Sequence, residues 1–461
     1  MDYSDFFSKV ERPVETCVVG SGGFGRSFLA QGMRVPLMRA RVAVDVDAAI
    51  ARRCFVDLGV VPDAVVQCST ADEAARAWAA GHCIAAADLA TVIDLPIDVV
   101  VEATGHPEAG ARHAQMAIAA GRHVVLVSKE VDSVVGPVLA YKAQQRGCVS
   151  TPVDGDQPSL LIGLIGWARL LGLEILAAGK SSEYDFVYDP LKATLSCDGR
   201  SIDAPGFARL WNPDGFAMTD LAEVRAQACG AFSQRIVADL CELQVVANAT
   251  GLRPDRPDLH APIARVQEVP EFLALRSEGG LFSTPGGLDV FHCLRRPDEV
   301  SFAGGVFVVV RCDDAPTWQL LAAKGHVVSR DGRRGLLYLP RHLLGLEAAT
   351  SVLDAAIHGR ATGGQAPLPS LDLVARAVRD FAAGEVLVMG GHHHTITGAT
   401  AELHPALPEA DTHPVPYYLA ANRTLRKALR AGDLVRWADI EIDSTSVLYR
   451  LRRNQDEVFF T

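Results

Sequence analysis

The chain has 461 residues, of which 49 % are hydrophobic, and its 44 basic and 55 acidic side chains leave a formal charge of −11. A length of this kind holds roughly two to four domains with sizeable cores, and the acidic balance argues against a nucleic-acid or anionic-membrane surface. Ten cysteines without a Cys-x-x-Cys pair read as reduced thiols of a cytoplasmic protein, and the acidic N-terminus lacks a signal-peptide pattern.

The first element is an apolar strand that runs into a glycine turn, Cys17-Val-Val-Gly20-Ser-Gly22-Gly23-Phe24-Gly25. Gly20 permits the tight turn, Gly22 leaves room for a pyrophosphate, and Gly25 lets the following helix pack on the sheet. The next strand, Arg41-Val-Ala-Val-Asp45, ends on a carboxylate 20 residues past Gly25. That offset suits a group that binds a ribose hydroxyl. Strands are predicted at 16–19, 41–46, 98–102 and 123–127, with helices at 24–32, 47–58, 71–80 and 107–120. The alternation predicts a parallel, doubly wound sheet whose ligand lies beyond the carboxyl ends of the strands. Those ends carry Asp45, the Ala103-Thr104-Gly105 turn and Ser128-Lys129-Glu130.

Beyond residue 152 the pattern changes. The apolar stretch 160–176 is interrupted by Arg169, Glu174 and two glycines near its start, and reads as a buried helix followed by a strand rather than a membrane span. Apolar strands at 174–180 and 304–311 lie far apart, with helices at 220–229 and 233–250 between them, and predict an α+β domain with a largely antiparallel sheet. A helix at 346–360 is expected to return to the first domain. Residues 361–370 have linker composition, and 371–461 read as a third unit of short strands and turns. The predicted organisation is therefore 1–152, 153–345, a return helix and linker at 346–370, and 371–461.

The glycine turn, Val100-Val-Glu-Ala-Thr-Gly105 and the strand that ends on Ser128-Lys129 resemble the homoserine-dehydrogenase superfamily. Three further motifs resemble one branch of it, the type II oxidoreductases like 1-deoxy-D-xylulose 5-phosphate reductoisomerase. They are Val127-Ser-Lys-Glu-Val-Asp132, Val153-Asp-Gly-Asp-Gln-Pro-Ser159 and Ala178-Gly-Lys-Ser-Ser-Glu-Tyr-Asp185. The segment from Ala375 to Val435 resembles the SAF-type module that this branch carries. The resemblance implies a Rossmann domain, a central catalytic and dimerisation domain, a homodimer or homotetramer, and NADPH as cofactor. Asp45 leans the other way, towards NADH, because it repels a 2′-phosphate, although Arg52 and Arg53 follow closely and offset it. Homoserine dehydrogenases offer an aspartate and a lysine, four apart on one helix, to their substrate. Here Ala238 and Glu242 fall about there, with a slip of one residue open, which disfavours homoserine.

Lys129 is the leading catalytic candidate, since a lysine at the cofactor edge can hold or protonate a substrate oxygen; the plainer reading is an exposed lysine paired with Glu130. Lys180-Ser181-Ser182-Glu183 presents a cation and two hydroxyls suited to a phosphate or carboxylate, or else is a polar turn. Asp154 and Asp156 precede the helix at Pro158. Either Asp156 caps it, or the two carboxylates bind sugar hydroxyls or a divalent cation, with Glu183 and Glu242 completing an acidic cluster. Arg341 and His342 are weaker candidates for an anion contact. The run from His392 to His394 lacks a second ligand set and is not read as a metal site. Cys241 reads as a buried inert thiol.

The expectation is an NAD(P)H-dependent oxidoreductase acting on a small anionic, phosphorylated polyol or ketose. The resemblance narrows this to reductive isomerisation of 1-deoxy-D-xylulose 5-phosphate to 2-C-methyl-D-erythritol 4-phosphate, a step towards isoprenoid precursors, with a divalent cation left open. The alternatives are a catabolic dehydrogenase of another sugar acid or polyol phosphate, a homoserine-dehydrogenase-like enzyme, and a non-enzymatic dinucleotide-binding protein.

Overall fold

Continuous apolar runs build the first sheet. The computed structural model describes residues 2–8, 10–212, 214–391 and 394–460; His392 and His393 lie outside the described residues. The first elements are β1 (Val14–Val19), α1 (Gly23–Gly32), β2 (Met38–Val44), α2 (Ala48–Asp57), β3 (Val65–Cys68), α3 (Ala71–Ala79), β4 (Cys83–Ala86), β5 (Val99–Glu102), α4 (Pro107–Ala119), β6 (His123–Leu126), α5 (Lys129–Gln145) and β7 (Ser150–Pro152). The strand order is β3-β4-β2-β1-β5-β6-β7, and every neighbouring pair is parallel. β1 is buried along its whole length because helices cover both faces of such a sheet. The chain leaves β1 towards β2 on one side and comes back to β5 on the other. The switch point therefore lies between the ends of β1 and β5, where Gly20 meets Ala103. The four predicted strands and four predicted helices are present, and β3, β4 and β7 are additional.

The second layer contains α6 (Gln157–Leu170), β8 (Ile175–Ser181), β9 (Phe186–Asp189), β10 (Thr194–Cys197), β11 (Arg200–Asp203), α7 (Met218–Ala228), α8 (Val237–Thr250), β12 (Gly287–Arg295), β13 (Val306–Arg311) and β14 (Arg334–Leu339). Its sheet runs β11-β10-β9-β12-β8-β13-β14. The expected largely antiparallel sheet is in fact mixed. β12 lies parallel to both β8 and β9, while the other neighbours are antiparallel. The long connection through α8 gives β12 the crossover that a parallel pair needs. Asp289 breaks the apolar pattern of β12; its buried carboxylate accepts from the backbone N–H groups of His260, Ala261 and Val290.

The return helix, Ala349–Leu353, packs Ala348, Val352 and Leu353 into one cluster with Val18, Phe28 and Phe55. The last unit pairs β15 (Leu371–Ala377) with β16 (Ala399–Pro405) and ends in α9 (Val447–Phe459), a helix that the reading of short strands and turns omits. α9 lies back on the first layer. Glu108, at the start of α4, accepts from Ser446 Oγ and from the N–H groups of Val447 and Leu448. Pro137 inside α5 has no N–H to give the Ser133 carbonyl. Gln244 of α8 donates to that carbonyl at 2.5 Å and to Leu371 O at 2.8 Å. One residue on, Gln455 of α9 donates to Val134 O and accepts from Val138 N. Among the described residues, no helix is long and apolar enough to cross a membrane.

Arg452 of α9 is fully buried and holds Asp372 through two hydrogen bonds of 2.6 and 2.9 Å. Arg452→Ala strands a buried carboxylate and is expected to destabilise the protein by about 3–5 kcal/mol. Urea denaturation followed by circular dichroism checks it; an unchanged midpoint contradicts it.

Candidate active site

The glycine turn needs its glycines for identifiable reasons. Gly20 has φ +94°, and a Cβ there would lie 2.6 Å from the Ala103 carbonyl oxygen. A Cβ on Gly25 would come within 1.9 Å of the Gly20 carbonyl oxygen, so α1 can only dock this closely without one. Gly22 faces open space, which leaves its backbone approachable. Together with Asp45, Thr104 and His106, Gly20 and Gly22 line a cavity of about 660 Å³. Asp45 accepts from Ser21 N at 2.8 Å and from Ser21 Oγ, so the carboxylate also braces the turn. Room above Gly22, a carboxylate at the end of β2 and a position at the switch point fit a dinucleotide.

Ala103 and Thr104 also line a second cavity, of about 380 Å³, so the two adjoin at the end of β5. Inside it, Glu242 of α8 receives two ammonium groups. Lys129, at the first turn of α5, donates to Oε1 at 2.5 Å, and Lys180 from β8 donates to Oε2. Lys180 also donates to Asp239 Oδ1 at 2.7 Å, and Ser182 donates to Asp239 Oδ2 at 2.7 Å. Lys180, Asp239 and Glu242 are almost fully buried, whereas the Lys129 side chain keeps 24 % of its surface exposed. Burial acts to lower the Lys129 pKa, but Glu242, Asp156 and Glu130 outweigh it and hold the ammonium well above its ordinary value. Lys180 is raised in the same way, with burial opposed by Asp239 and Glu242. Burial alone would raise Glu242, yet the two ammonium groups bring it down to about 2. Both lysines are therefore charged at neutral pH, and Lys129 is the one with an open face.

Two family models match the chain. Residues 37–150 match the description "Homoserine dehydrogenase, NAD binding domain", and residues 155–348 match "Oxidoreductase DRL, catalytic domain". The chain thus carries an NAD-binding domain and an oxidoreductase catalytic domain. The first range holds Asp45 and Lys129 and the second holds Lys180, Asp239, Glu242 and His342, while the glycine turn precedes both. No curated protein matches. Among solved structures, an NAD binding oxidoreductase from Klebsiella pneumoniae is 19 % identical over 37 % of this chain and 43 % of its own, with a TM-score of 0.26. A DOX-P reductoisomerase in complex with NADPH, fosmidomycin and magnesium is 18 % identical over 39 % and 48 %, at 0.27. GenD2 from gentamicin A biosynthesis, in complex with NAD, is 18 % identical over 76 % and 88 %, at 0.34. The match thus spans less than half the length of the first two.

The chain brings together Phe24, Thr104, Gly105, Lys129, Asp156, Lys180, Glu183, Glu242 and His342 around the second cavity. His342 donates Nδ1–H to the Gly304 carbonyl at 2.9 Å, which leaves Nε2 for the cavity. Asp156 also caps α6 through Gln157 N, so the two roles weighed for it are compatible.

Other expected residues stand elsewhere. Asp154 accepts from Ser159 Oγ and Thr350 Oγ1 and ties α6 to the return helix, so it does not pair with Asp156. Ser181 and Ser182 are fully buried and direct their hydroxyls to Ser182 O and Asp239, so they are not donors to a ligand in this cavity. Ser128 is buried and accepts from Gly105 N at 2.8 Å, shaping the turn instead of meeting a cofactor. Arg341 is exposed and lines none of these cavities. Gly23 lines neither cavity.

Asp239 is the main residue that sequence reasoning missed. The signal was its place three residues before Glu242, which puts both on one helix face. His394 of the last unit was also missed as a neighbour of this site: its Nδ1 lies 3.0 Å from Glu130, and its ring is close to Gly105. Of the carboxylates weighed for a divalent cation, Glu242 is held by two ammonium groups, Asp154 by two hydroxyls and Asp156 by the Gln157 N–H, and among the described residues no cluster of three or more His, Cys, Asp or Glu is set to hold a metal.

Glu242→Gln leaves the buried Lys180 ammonium and the part-buried Lys129 ammonium against a neutral amide and is expected to destabilise the protein by about 3 kcal/mol. Because the native carboxylate is held below its ordinary 4.5, its contribution is present above that pH and is lost as pH falls towards about 2. Stability measured against pH for both proteins checks this: the variant lacks that part of the acid titration.

Proposed function

We propose that the enzyme moves a hydride between a nicotinamide dinucleotide and a hydroxyl- or carbonyl-bearing carbon of a small anionic polyol or ketose, with Lys129 on the reacting oxygen. The observation that carries this is the half-open, charged Lys129 ammonium beside Thr104 and Gly105, where the dinucleotide cavity meets the acidic pocket. Gly20, Gly22, Asp45 and Thr104 would hold a dinucleotide, which would supply or accept the hydride. Lys129 stabilises the negative charge that develops on the substrate oxygen and returns a proton to it from Nζ. Lys180 is a positioning residue: it fixes Glu242 and Asp239, and through Glu242 it fixes Lys129. His342 Nε2 and Asp156 are placed to bind substrate hydroxyls.

The finer reading is reductive isomerisation of 1-deoxy-D-xylulose 5-phosphate, in which the skeleton rearranges to an aldehyde and a hydride and a proton reduce it. Its support is the resemblance in Val127–Asp132, Val153–Ser159 and Ala178–Asp185 together with the match to the oxidoreductase catalytic domain. A second reading, plain dehydrogenation of a polyol phosphate or sugar acid, is favoured by the Lys180 ammonium group that bridges Asp239 and Glu242. We keep a reducing, cytoplasmic setting, since all ten cysteines are free. We also keep a homo-oligomer, for which Tyr338 and Leu339, exposed on the edge strand β14 beside Trp167, offer an apolar surface.

Near-ultraviolet absorbance of the reduced nicotinamide, followed with 1-deoxy-D-xylulose 5-phosphate and with a panel of polyol phosphates and sugar acids, separates the two readings. No turnover on any of them sinks both. Lys129→Ala is expected to lower kcat/KM on the order of 100-fold with cofactor binding intact. For the cofactor we infer a preference for NAD(H), because Asp45 lines the cavity while Arg52 and Arg53 do not, Arg52 being bonded to Pro62 O. Asp45→Ala is expected to raise the NADP(H)-to-NAD(H) efficiency ratio on the order of tenfold. A ratio that stays put, or a native preference for NADPH, contradicts this.

A further inference from the structure

The reaction pocket is a poor place for an anion. Two lysines there face five carboxylates, those of Glu130, Asp156, Glu183, Asp239 and Glu242. A third cavity, of about 270 Å³, lies against it: Ser182 lines this one, Asp239 lines the reaction pocket, and the two are hydrogen-bonded at 2.7 Å. The consecutive residues Glu183 and Tyr184 line one cavity each.

The charge balance of the third cavity is the reverse. Arg200, at the start of β11, and Arg235, just before α8, both line it, and Asp198 is its single acid. Among the described residues neither arginine forms an ion pair. Arg235 bonds only the backbone carbonyl of Gln234, and the Arg200 guanidinium sits 5.7 Å from the Phe232 ring centroid. Two guanidinium groups without acid partners on the lining of one cavity are suited to an oxyanion. Thr395 from the last unit adds a hydroxyl, and Phe186 and Phe232 wall the cavity with apolar surface.

We infer that this cavity is the subsite for the far end of the substrate, a terminal phosphate or carboxylate carried on a short polyol chain whose reacting carbon lies at Lys129. The inference rests on the proposed reaction at Lys129. Its logic is a separation of charge: the acidic pocket takes neutral hydroxyls, and the arginines take the oxyanion.

The test uses binding, so it does not depend on turnover. The enzyme loaded with reduced dinucleotide, which fills the pyrophosphate site, is titrated with inorganic phosphate and with ribitol 5-phosphate by phosphorus NMR. Arg200→Ala and Arg235→Ala are each expected to weaken both ligands on the order of 10- to 100-fold. Arg235→Lys is expected to recover part of that loss. Lys129→Ala is expected to leave phosphate binding unchanged and to weaken ribitol 5-phosphate. Phosphate affinity that is indifferent to both arginines overturns the subsite. Ribitol 5-phosphate that binds no tighter than phosphate, or ignores Lys129→Ala, overturns the claim that one molecule spans both cavities. Because the arginines are exposed, circular dichroism of the variants separates loss of binding from loss of fold. Failure of these titrations leaves hydride transfer at Lys129 standing, and failure of the absorbance assay leaves the titrations interpretable.

Discussion

The Glu242 carboxylate is the point on which the arrangement depends. Its two oxygens answer two ammonium groups from different layers, Lys129 from the dinucleotide layer and Lys180 from the central sheet. Each charge would be costly to bury alone, and the set is tolerable only because Asp239 takes a second bond from Lys180 and Ser182 satisfies Asp239 in turn. The chain of contacts runs from the first helix turn after β6, through α8, to the end of β8. It therefore registers the two layers against each other at the place where a hydride would pass. A charged network of this kind specifies geometry more than it adds stability.

Much of this was legible in the residues, and the reasons for what was not are physical. Within β1, β2, β5 and β6 the residues 17–19, 42–44, 99–101 and 124–126 are buried apolar runs, while β3 has an exposed Gln67 and β7 only three residues; β4, as short and as buried as β6, was passed over. β12 was hidden because Asp289 and His292 interrupt it, and their burial makes sense only once His260, Ala261 and the Gln234 carbonyl are folded around them. Lys129, Lys180 and Glu242 each stood out by position at an element's end or on a helix. That they converge on one carboxylate is a fact of packing between layers, which no local pattern encodes. Asp239 was passed over because the reading fixed on Ala238, four residues before Glu242. Ser181 and Ser182 read as ligands because hydroxyls beside a lysine look available, yet the strand they end is interior.

The last unit is part of the same body. Arg376 pairs with Glu402 across β15 and β16, Arg452 secures α9 to Asp372, and Glu108 receives the start of α9. His394 brings the unit to the edge of the reaction pocket beside Glu130, whose contact raises the histidine pKa. Protonation of that ring thus couples to an acid next to Lys129.

Pro137 has one further effect. By removing a single N–H it opens the ladder of α5, and two glutamines, from α8 and α9, fill the gap. The helix that begins with Lys129 is thereby bolted to both other units, at backbone groups four to nine residues from the ammonium it presents. Swinging of the dinucleotide layer as a separate lobe would shear those amide bonds. In this architecture any loosening of the dinucleotide cavity would be local to its lining rather than a swing of the whole layer.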